Sequence, residues 1–298
     1  MSRIPCSYYN KWNSQIYLPD QDKGFYRATR FDWSGIIGSL IYQGIDYFGQ
    51  WYSKHNPRVN DAISGPVEEF NEIGYECIED EDEFLKIGIG GLRKSNNEQY
   101  DRFKLYEIIN PGEWIVERTG RKVVFRHLIK DVSGYSYCYT KCVELTVGIP
   151  ELLITHTLKN TGRKVIKTKV YNHNFLTIGH LFTDSNVVVT FPENIVKSIS
   201  DNKNRILNID KNRVGFTRAI FPNESVMVMN INDNPVAGSI IVENEKLKAG
   251  VEIISDARYS TIHFWASERT CCPEPYINIE LSPRQEIDWS FKYVFYVK

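Results

Sequence analysis

YSYCYTKCVELTV (135–147), ELLITHTLKNTG (151–162) and KVIKTKVYNHNF (164–175) follow one another with only short turns between them. In the first of these, larger apolar residues alternate with polar ones along the whole run. A period of two residues places successive side chains on opposite faces of a β-strand. We therefore expect three long neighbouring strands, each with one face turned towards a core.

Similar runs, rich in Val, Ile, Tyr, Phe and Thr and separated by Gly, Asn, Asp and Pro, continue along the chain. They are 24–31, 36–44, 102–109, 114–120, 122–129, 225–231, 237–243, 259–267 and 287–297. No segment carries a sustained helical apolar pattern with both a cap and a stop, so helices should be short and few. The sequence predicts an all-β fold in which large antiparallel sheets pack face to face as a β-sandwich, with a concave outer face free for a ligand.

Neither an internal repeat nor a linker-like composition divides the sequence, so residues 1–298 are expected to form a single domain. The 36 Lys and Arg residues and the 37 Asp and Glu residues nearly cancel and are scattered. Such a charge distribution provides no basic surface for a phosphate backbone, so nucleic acid is not predicted as a partner.

No stretch is long and apolar enough to predict a membrane span, and the N-terminal residues lack the apolar centre of a signal peptide. We expect a cytoplasmic protein, or a periplasmic one if a signal has been removed. The six cysteines lack paired CxxC spacing and are interpreted as reduced thiols. No metal or organic cofactor is implied by any motif, although scattered carboxylates leave a calcium site open. The oligomeric state is not indicated.

Two segments differ from the strand pattern. Residues 43–76 mix aromatic, glycine and charged residues without a clean period, which suggests a long functional loop over a sheet. SERTCCPEPY (267–276) places a carboxylate, that of Glu274, between two prolines whose rings fix the backbone. Rigid placement suits a general base, and the plain alternative is an exposed loop glutamate.

His173 lies in YNHNF (171–175), at the end of a predicted strand, on the same face as Tyr171 and Phe175. An imidazole held between two aromatic rings could keep a pKa near neutrality and act as a general acid. The alternative is a buried histidine with a structural hydrogen bond.

The ordered combination LKNTG (158–162), YNHNF (171–175), HFWAS (263–267), CCPEP (271–275) and LSPRQ (281–285) resembles the galactose mutarotase (aldose 1-epimerase) superfamily. The resemblance covers about residues 100–298 and suggests a divergent member, because LSPRQ replaces the Pro-Gly-Glu turn of the family. The N-H-x-H-G-G segment that supplies a second histidine also has no match. FLKIGIGGLRK (84–94) lies in the corresponding stretch, and it places Lys86 near that position.

The resemblance implies a large β-supersandwich and an aldose 1-epimerase-like isomerase of carbohydrate metabolism. Glu274 would take the proton of the anomeric hydroxyl while His173 protonates the ring oxygen, so that the sugar ring opens and closes again on the other face. Glu268 is a rival for the base. The implied partner is a small-molecule carbohydrate.

Other residues are candidates for substrate binding. Arg30 and Asp32 would share one strand face and could bind neighbouring sugar hydroxyls, or form a surface ion pair. Glu68 and Glu69 follow a Gly-Pro turn, and adjacent carboxylates on an extended segment point in opposite directions, so one of them could enter a pocket. Glu69 is the favoured candidate. Lys86, before a glycine-rich stretch, could donate to a hydroxyl or an anionic group, or simply be solvated.

Trp265 is the best aromatic candidate for a wall beside the anomeric carbon, and Tyr47 or Trp51 could stack on a sugar or serve as packing anchors. The remaining histidines receive no role: His55, His127, His156, His180 and His263.

Two other functions stay open. A non-catalytic carbohydrate-binding protein could use the same fold, since fold does not fix function. A polysaccharide lyase or another glycoside-processing enzyme is the second alternative. It would need a further acid or base from Glu69, Glu268 or Lys86.

Overall fold

The computed structural model describes residues 3–8, 12–79, 82–95, 98–195, 199–201 and 205–298. The strands, in chain order, are β1 Arg3–Tyr8, β2 Trp12–Tyr17, β3 Ile36–Tyr42, β4 Ile45–Phe48, β5 Val67–Phe70, β6 Glu83–Lys86, β7 Gly90–Arg93, β8 Ile108–Asn110, β9 Glu113–Thr119, β10 Lys122–Val132, β11 Tyr135–Leu145, β12 Glu151–Asn160, β13 Ile166–His173, β14 Val187–Thr190, β15 Ile199–Asp201, β16 Leu207–Asp210, β17 Arg213–Phe216, β18 Ser225–Met229, β19 Ser239–Asn244, β20 Ala249–Ser255, β21 Thr261–Ser267, β22 Thr270–Leu281 and β23 Glu286–Val297. Helical structure in the described residues is limited to two short 3₁₀ turns, Tyr75–Cys77 and Ile178–His180. No helix in the described part of the chain is long and apolar enough to cross a membrane.

Two large antiparallel sheets form the body of the protein. One has ten strands in the order β16-β17-β14-β19-β20-β23-β12-β11-β10-β9, and the other has six in the order β15-β18-β21-β22-β13-β5. A four-stranded sheet (β1 to β4) and a three-stranded sheet (β6 to β8) complete the structure. The predicted all-β sandwich of large antiparallel sheets is confirmed.

The alternation in the sequence produces the core between the two large sheets. Along β12 and β21 every second residue is buried. Phe264 of β21 packs edge-on against Phe191, and Tyr259 stacks in parallel on Phe291 of β23. Each fully buried aromatic side chain of this kind contributes roughly 1.5–3 kcal/mol of burial free energy.

A buried polar cluster crosses the core beneath β5. Glu68 of β5 forms an ion pair with Lys141 of β11, and both side chains are fully buried. Tyr139 donates to Asp32 at 3.1 Å and hydrogen-bonds Nδ1 of His156 at 3.0 Å. Buried charges of this kind are tolerated only when they are paired and hydrogen-bonded. The cluster thus ties the six-stranded sheet to the ten-stranded one.

The outer face of the six-stranded sheet is covered where β5, β13 and β22 meet. There the alternation disappears, because Val67–Phe70, the last four residues of β13 and Thr270–Ile277 are buried on both faces. A second aromatic core, with Phe31, Trp33 and Phe175 among its members, fills the space above the sheet.

The covering segments correct two strand predictions. Residues 24–31 and 102–107 form turns and extended loop, and in the second run the strand begins only at Ile108. The aromatic residues of the first run are buried above the outer sheet face, whereas in the second run Tyr106 is buried and Phe103 is exposed. Isolated hydrogen bonds such as Arg27 N to Pro57 O and Asp32 N to Glu68 O replace a strand ladder. Burial without strand pairing therefore accounts for the apolar pattern of the first run, and in the second run for Tyr106 alone.

The two segments that differed from the strand pattern are corrected as well. Residues 43–76 contain β4 and β5, so that the loop is confined to residues between them. Glu274 lies within strand β22 and is buried, so the loop placement of 267–276 is wrong. Pro273 and Pro275 fit a strand because they pair with β21 on one side only.

Removing one member of the buried ion pair should be more damaging than removing both. We expect Lys141→Met to lower the free energy of unfolding by about 3–5 kcal/mol, because Glu68 is left buried without its cation. Adding Glu68→Gln should recover part of this loss. Urea denaturation of both variants, beside the exposed surface-pair control Lys167→Met, measures the effect. A double variant as unstable as the single one would contradict the assigned role of the pair.

Candidate active site

The site lies where β13 and β22 separate. The backbone pairing of the two strands ends at Tyr171 and Tyr276. The two segments pair again at the isolated bridge between Leu176 and Cys271. Ile262 of β21 lies opposite Pro275. Its N–H donates to Asn232 and its carbonyl accepts from Ile231 N, so both groups point away from β22. Proline therefore removes no hydrogen bond between β22 and β21 at this position. In the gap, the amide of Asn174 donates to Pro273 O at 2.8 Å.

His173 and Glu274 face each other across this gap. Nε2 of His173 lies 3.3 Å from Oε1 of Glu274, and both side chains are about 95% buried. The imidazole stacks on Phe175 with ring centroids 3.8 Å apart, and Phe31 and Trp265 contact it edge-on. These rings fix the imidazole plane, so the two groups form one preorganised acid–base pair.

Burial controls the protonation of the pair. It holds the pKa of His173 well below its usual range, and the nearby Arg30 and Arg102 charges act in the same direction. Burial also raises the pKa of Glu274 to about 8, with the Glu69 carboxylate adding to the shift and the two arginines opposing it. At neutral pH the carboxyl group therefore carries the proton and the imidazole is neutral.

This distribution is the reverse of the sequence expectation, in which Glu274 was ionised and His173 supplied the proton. The physical reason is that an imidazolium–carboxylate pair would bring two charges into an apolar environment. Nδ1 of His173 is also buried and has no hydrogen-bond partner among the described residues.

A cavity of about 450 Å³ opens beside the pair, on the outer face of the six-stranded sheet. Its volume lies within the range of small-molecule sites. Polar and apolar walls surround it, formed by Arg30, Trp51, Asp61, Arg102, Phe103, Tyr171, His173, Phe175, Met227, Met229, His263, Trp265, Glu274 and Tyr276. The cavity thus lies on an outer sheet face, where a ligand site was expected, but irregular segments cover that face instead of leaving it free.

Arg30 is fixed in one wall of the cavity. Its Nε donates to Glu69 at 2.7 Å, one terminal nitrogen donates to Asp61 at 2.5 Å, and the other donates to Tyr171 at 3.1 Å. Burial opposes ionisation of Glu69, but the charges of Arg30, Lys86 and Arg102 outweigh it and leave the pKa of Glu69 below its usual value. Glu69 therefore supports Arg30 from behind the cavity wall.

Two of the candidate binding residues do not reach the cavity. Asp32 turns into the core, where it accepts bonds from Ser34 and Tyr139, so it shares no sugar-facing side with Arg30. The side chain of Lys86 is fully buried and donates to Phe70 O at 2.6 Å. Both belong to the support beneath the site: Asp32 lies in a loop, and Lys86 is the last residue of strand β6.

The remaining candidates divide clearly. Trp265 and Trp51 line the cavity and contact each other edge-on, with ring centroids 5.5 Å apart. Tyr47 is fully buried and donates to Tyr296 O, so it is a packing anchor. Glu268 lies outside the cavity and forms an ion pair with Arg269 at 3.4 Å.

Several cavity residues were not among the candidates predicted from the sequence. Arg102 reaches the cavity from an irregular segment and pairs with Glu69 at 3.5 Å, and no local pattern marks it. His263 lies directly opposite Glu274 on β21. Met227 and Met229 occupy the outward positions of β18, where alternation would place polar residues, and this was a usable signal.

No protein-family model matches the sequence, and no curated protein matches it. Solved structures do match over nearly the whole chain. A galactose mutarotase-like protein from Lactobacillus casei ATCC 334 has a TM-score of 0.58 at 12% identity, covering 99% of this chain and 100% of its own. A galactose mutarotase related enzyme from Lactobacillus acidophilus has a TM-score of 0.56 at 12% identity, covering 99% and 97%.

The GalM/aldose epimerase homologue from C. elegans gives a TM-score of 0.56 at 11% identity and covers 100% of this chain and 99% of its own. The chain therefore has the galactose mutarotase-like fold, and the resemblance expected from the motifs is confirmed at the level of the fold.

The raised pKa of Glu274 should appear as a pH-dependent stability. The native carboxyl group keeps its proton up to about pH 8, whereas the unfolded chain releases it near its ordinary value of 4.5. The free energy of unfolding of the wild type therefore falls as the pH rises between these two values, by about 1.4 kcal/mol per pH unit.

Glu274→Gln abolishes this titration, so its stability relative to wild type should increase from acid to alkaline pH by on the order of a few kcal/mol. Urea denaturation at a series of pH values measures the difference. Glu280→Gln, an exposed change on the same strand, is the control and should show no such trend. A constant difference between Glu274→Gln and wild type would contradict the assignment.

Proposed function

We propose that the protein is an aldose 1-epimerase-like isomerase that interconverts the anomers of a free sugar. The observation that carries the proposal is the contact between His173 and Glu274, which places one acid and one base 3.3 Å apart in the wall of a cavity. Anomer interconversion needs such a pair, because one oxygen of the anomeric carbon must gain a proton while the other loses one.

The proton balance follows from the neutral pair. Glu274 gives its proton to the ring oxygen, and His173 Nε2 accepts the proton of the anomeric hydroxyl as the bond between the anomeric carbon and the ring oxygen breaks. The anomeric carbon becomes an aldehyde, which rotates. Ring closure on the other face runs the same transfers backwards, so the pair returns to its starting state. Compared with the sequence expectation, the two residues exchange roles.

The pair is well matched to this chemistry. The carboxyl pKa of about 8 is close to neutral pH, where a general acid is most effective. During ring opening a carboxylate and an imidazolium form transiently, and Arg30 and Arg102 favour the carboxylate. The buried site in turn keeps the two groups out of contact with bulk water.

The cavity walls fit a carbohydrate. Trp265 and Trp51 offer apolar ring faces beside His173, and sugar rings carry apolar faces that pack on such surfaces. Arg102 supplies guanidinium donors, and the hydroxyl of Tyr276 can donate and accept hydrogen bonds. A small-molecule carbohydrate is therefore the proposed partner, with Trp265 and Arg30 as proposed binding residues in the cavity wall.

Carbohydrate binding without catalysis is the second candidate. One observation favours it: the contact between His173 and Glu274 is also a good structural hydrogen bond between two buried polar groups. The two candidates differ in whether anomers interconvert faster when the protein is added.

Substitution of either member of the pair should abolish that acceleration. We expect His173→Ala and Glu274→Gln each to reduce the rate of anomer interconversion by about 10²–10⁴-fold, because a positioned acid or base contributes that much. NMR of freshly dissolved hexoses, pentoses and deoxy-sugars measures the rate. Glu268→Gln is the matched control and should retain full activity, since that carboxylate lies outside the cavity.

Sugar binding without any acceleration by the wild-type protein would favour the non-catalytic candidate. An active Glu274→Gln variant would remove Glu274 from the mechanism.

A further inference from the structure

A second cavity of about 450 Å³ lies next to the first. Both are built from the same three stretches of chain. Arg30, Asp61 and Phe103 line the first cavity. Arg27, Arg58 and Leu105, which lie on the same three stretches, line the second. Residues of the second cavity are Gln21, Asp22, Arg27, Trp33, Arg58, Leu105, Tyr106, Glu107 and Ile108. The same irregular layer above the sheet therefore contributes residues to both cavities.

The wall between the cavities is held in place by buried side chains. The amide of Asn60 donates to Phe103 O at 2.7 Å, and Oγ1 of Thr29 donates to Lys104 O at 3.3 Å. Tyr106 N in turn donates to Thr29 Oγ1 at 3.1 Å. Thr29 and Asn60 are both buried. The segment that separates the cavities thus has a fixed backbone, which is a property of preformed ligand sites.

Two apolar side chains stand exposed on this wall. Phe103 is 59% exposed and lines the first cavity, and Leu105 is 45% exposed and lines the second. The guanidinium of Arg30 lies 4.8 Å from the ring centroid of Phe103 and helps to hold that ring in place. An apolar surface between two polar cavities is suited to the faces of successive sugar rings.

Several polar groups of the second cavity are available to a ligand. One terminal nitrogen of Arg27 donates to Asp22 O at 2.9 Å, whereas its Nε is buried without a hydrogen-bond partner. Neither Arg58 nor the Asp22 carboxylate forms an ion pair with any residue in the described part of the chain. Glu107, by contrast, is occupied by Arg93 at 2.8 Å. Guanidinium donors beside a carboxylate acceptor fit hydroxyl groups, which both donate and accept. The Asp22 carboxylate can accept a hydrogen bond from a hydroxyl group but offers nothing to a simple anion.

We infer that the second cavity is a sugar subsite, so that the ligand is a short saccharide with a free reducing end rather than a single sugar. The reducing-end unit occupies the cavity of His173 and Glu274. The next unit crosses Phe103 and Leu105 and hydrogen-bonds Arg27 and Arg58. This inference rests on the proposed function, because that function places the reducing end.

Calorimetric titration of the full chain with matched sugars tests the inference. Glucose is compared with cellobiose, maltose and lactose, and galactose with a β-1,4-linked galactobiose. At least one disaccharide should bind about tenfold more tightly than the monosaccharide at its reducing end. Arg58→Ala combined with Leu105→Ser should remove this gain and leave monosaccharide affinity unchanged, since both side chains lie outside the first cavity.

The control is Arg213→Ala combined with Ile209→Ser, two exposed changes of the same types on β16 and β17, and it should retain the gain. If every disaccharide binds no better than its monosaccharide, or if the gain survives Arg58→Ala with Leu105→Ser, the subsite is wrong while the proposed function stands. If inorganic sulfate binds in a way that depends on Arg58, and no disaccharide binds more tightly than its monosaccharide, the second cavity is an anion site and the sugar subsite is overturned. If no sugar binds at all, the proposed function fails and the subsite with it.

Discussion

Pro273 and Pro275 cannot donate backbone hydrogen bonds, and the site depends on that constraint. Both residues lie in β22 at the point where β13 is no longer paired with it. A backbone N–H at either position would face the gap between β13 and β22. A proline in a fully paired central strand would break the ladder, so it occurs where pairing on one side is absent. The gap gives two side chains room to approach each other between strands, and His173 and Glu274 occupy it.

The segments that cover the outer sheet face determine the protonation of His173 and Glu274. Three irregular stretches pack aromatic residues above β5, β13 and β22, so that the pair lies in an almost dry environment. Burial disfavours charge on both members, and the neutral arrangement with one shared proton results. Two adjacent residues of β5 contact opposite sides of the sheet. Glu69 pairs with Arg30 at the cavity, whereas Glu68 pairs with Lys141 in the core between the two large sheets. Fold stability and site geometry thus depend on the same short strand.

Much of this could be predicted from the sequence, and the exceptions have physical reasons. Strict alternation in the long strands, such as β12, made the sandwich predictable, and the ordered motifs led to His173 and Glu274. Alternation on β5 also separated Glu69 from Glu68. Irregular backbone has no period, so the direction of Asp32 could not be predicted and Arg102 was overlooked. Lys86 ends the short strand β6, and its burial depends on a contact with Phe70 of β5 that no local pattern reports. The protonation of the pair depends on burial by segments distant in the chain, which no local pattern reports.

The state of the His173 imidazole is the most direct test of this account. Histidine-selective ¹⁵N NMR, with the signal assigned by comparison with His173→Gln, reports which ring nitrogens carry protons. A neutral pair with the proton on Glu274 predicts a neutral ring protonated on Nδ1 alone, unchanged between about pH 5 and pH 7, where an ordinary histidine titrates. A doubly protonated ring at neutral pH would contradict it, because the proton would then reside on His173 and Glu274 would be ionised.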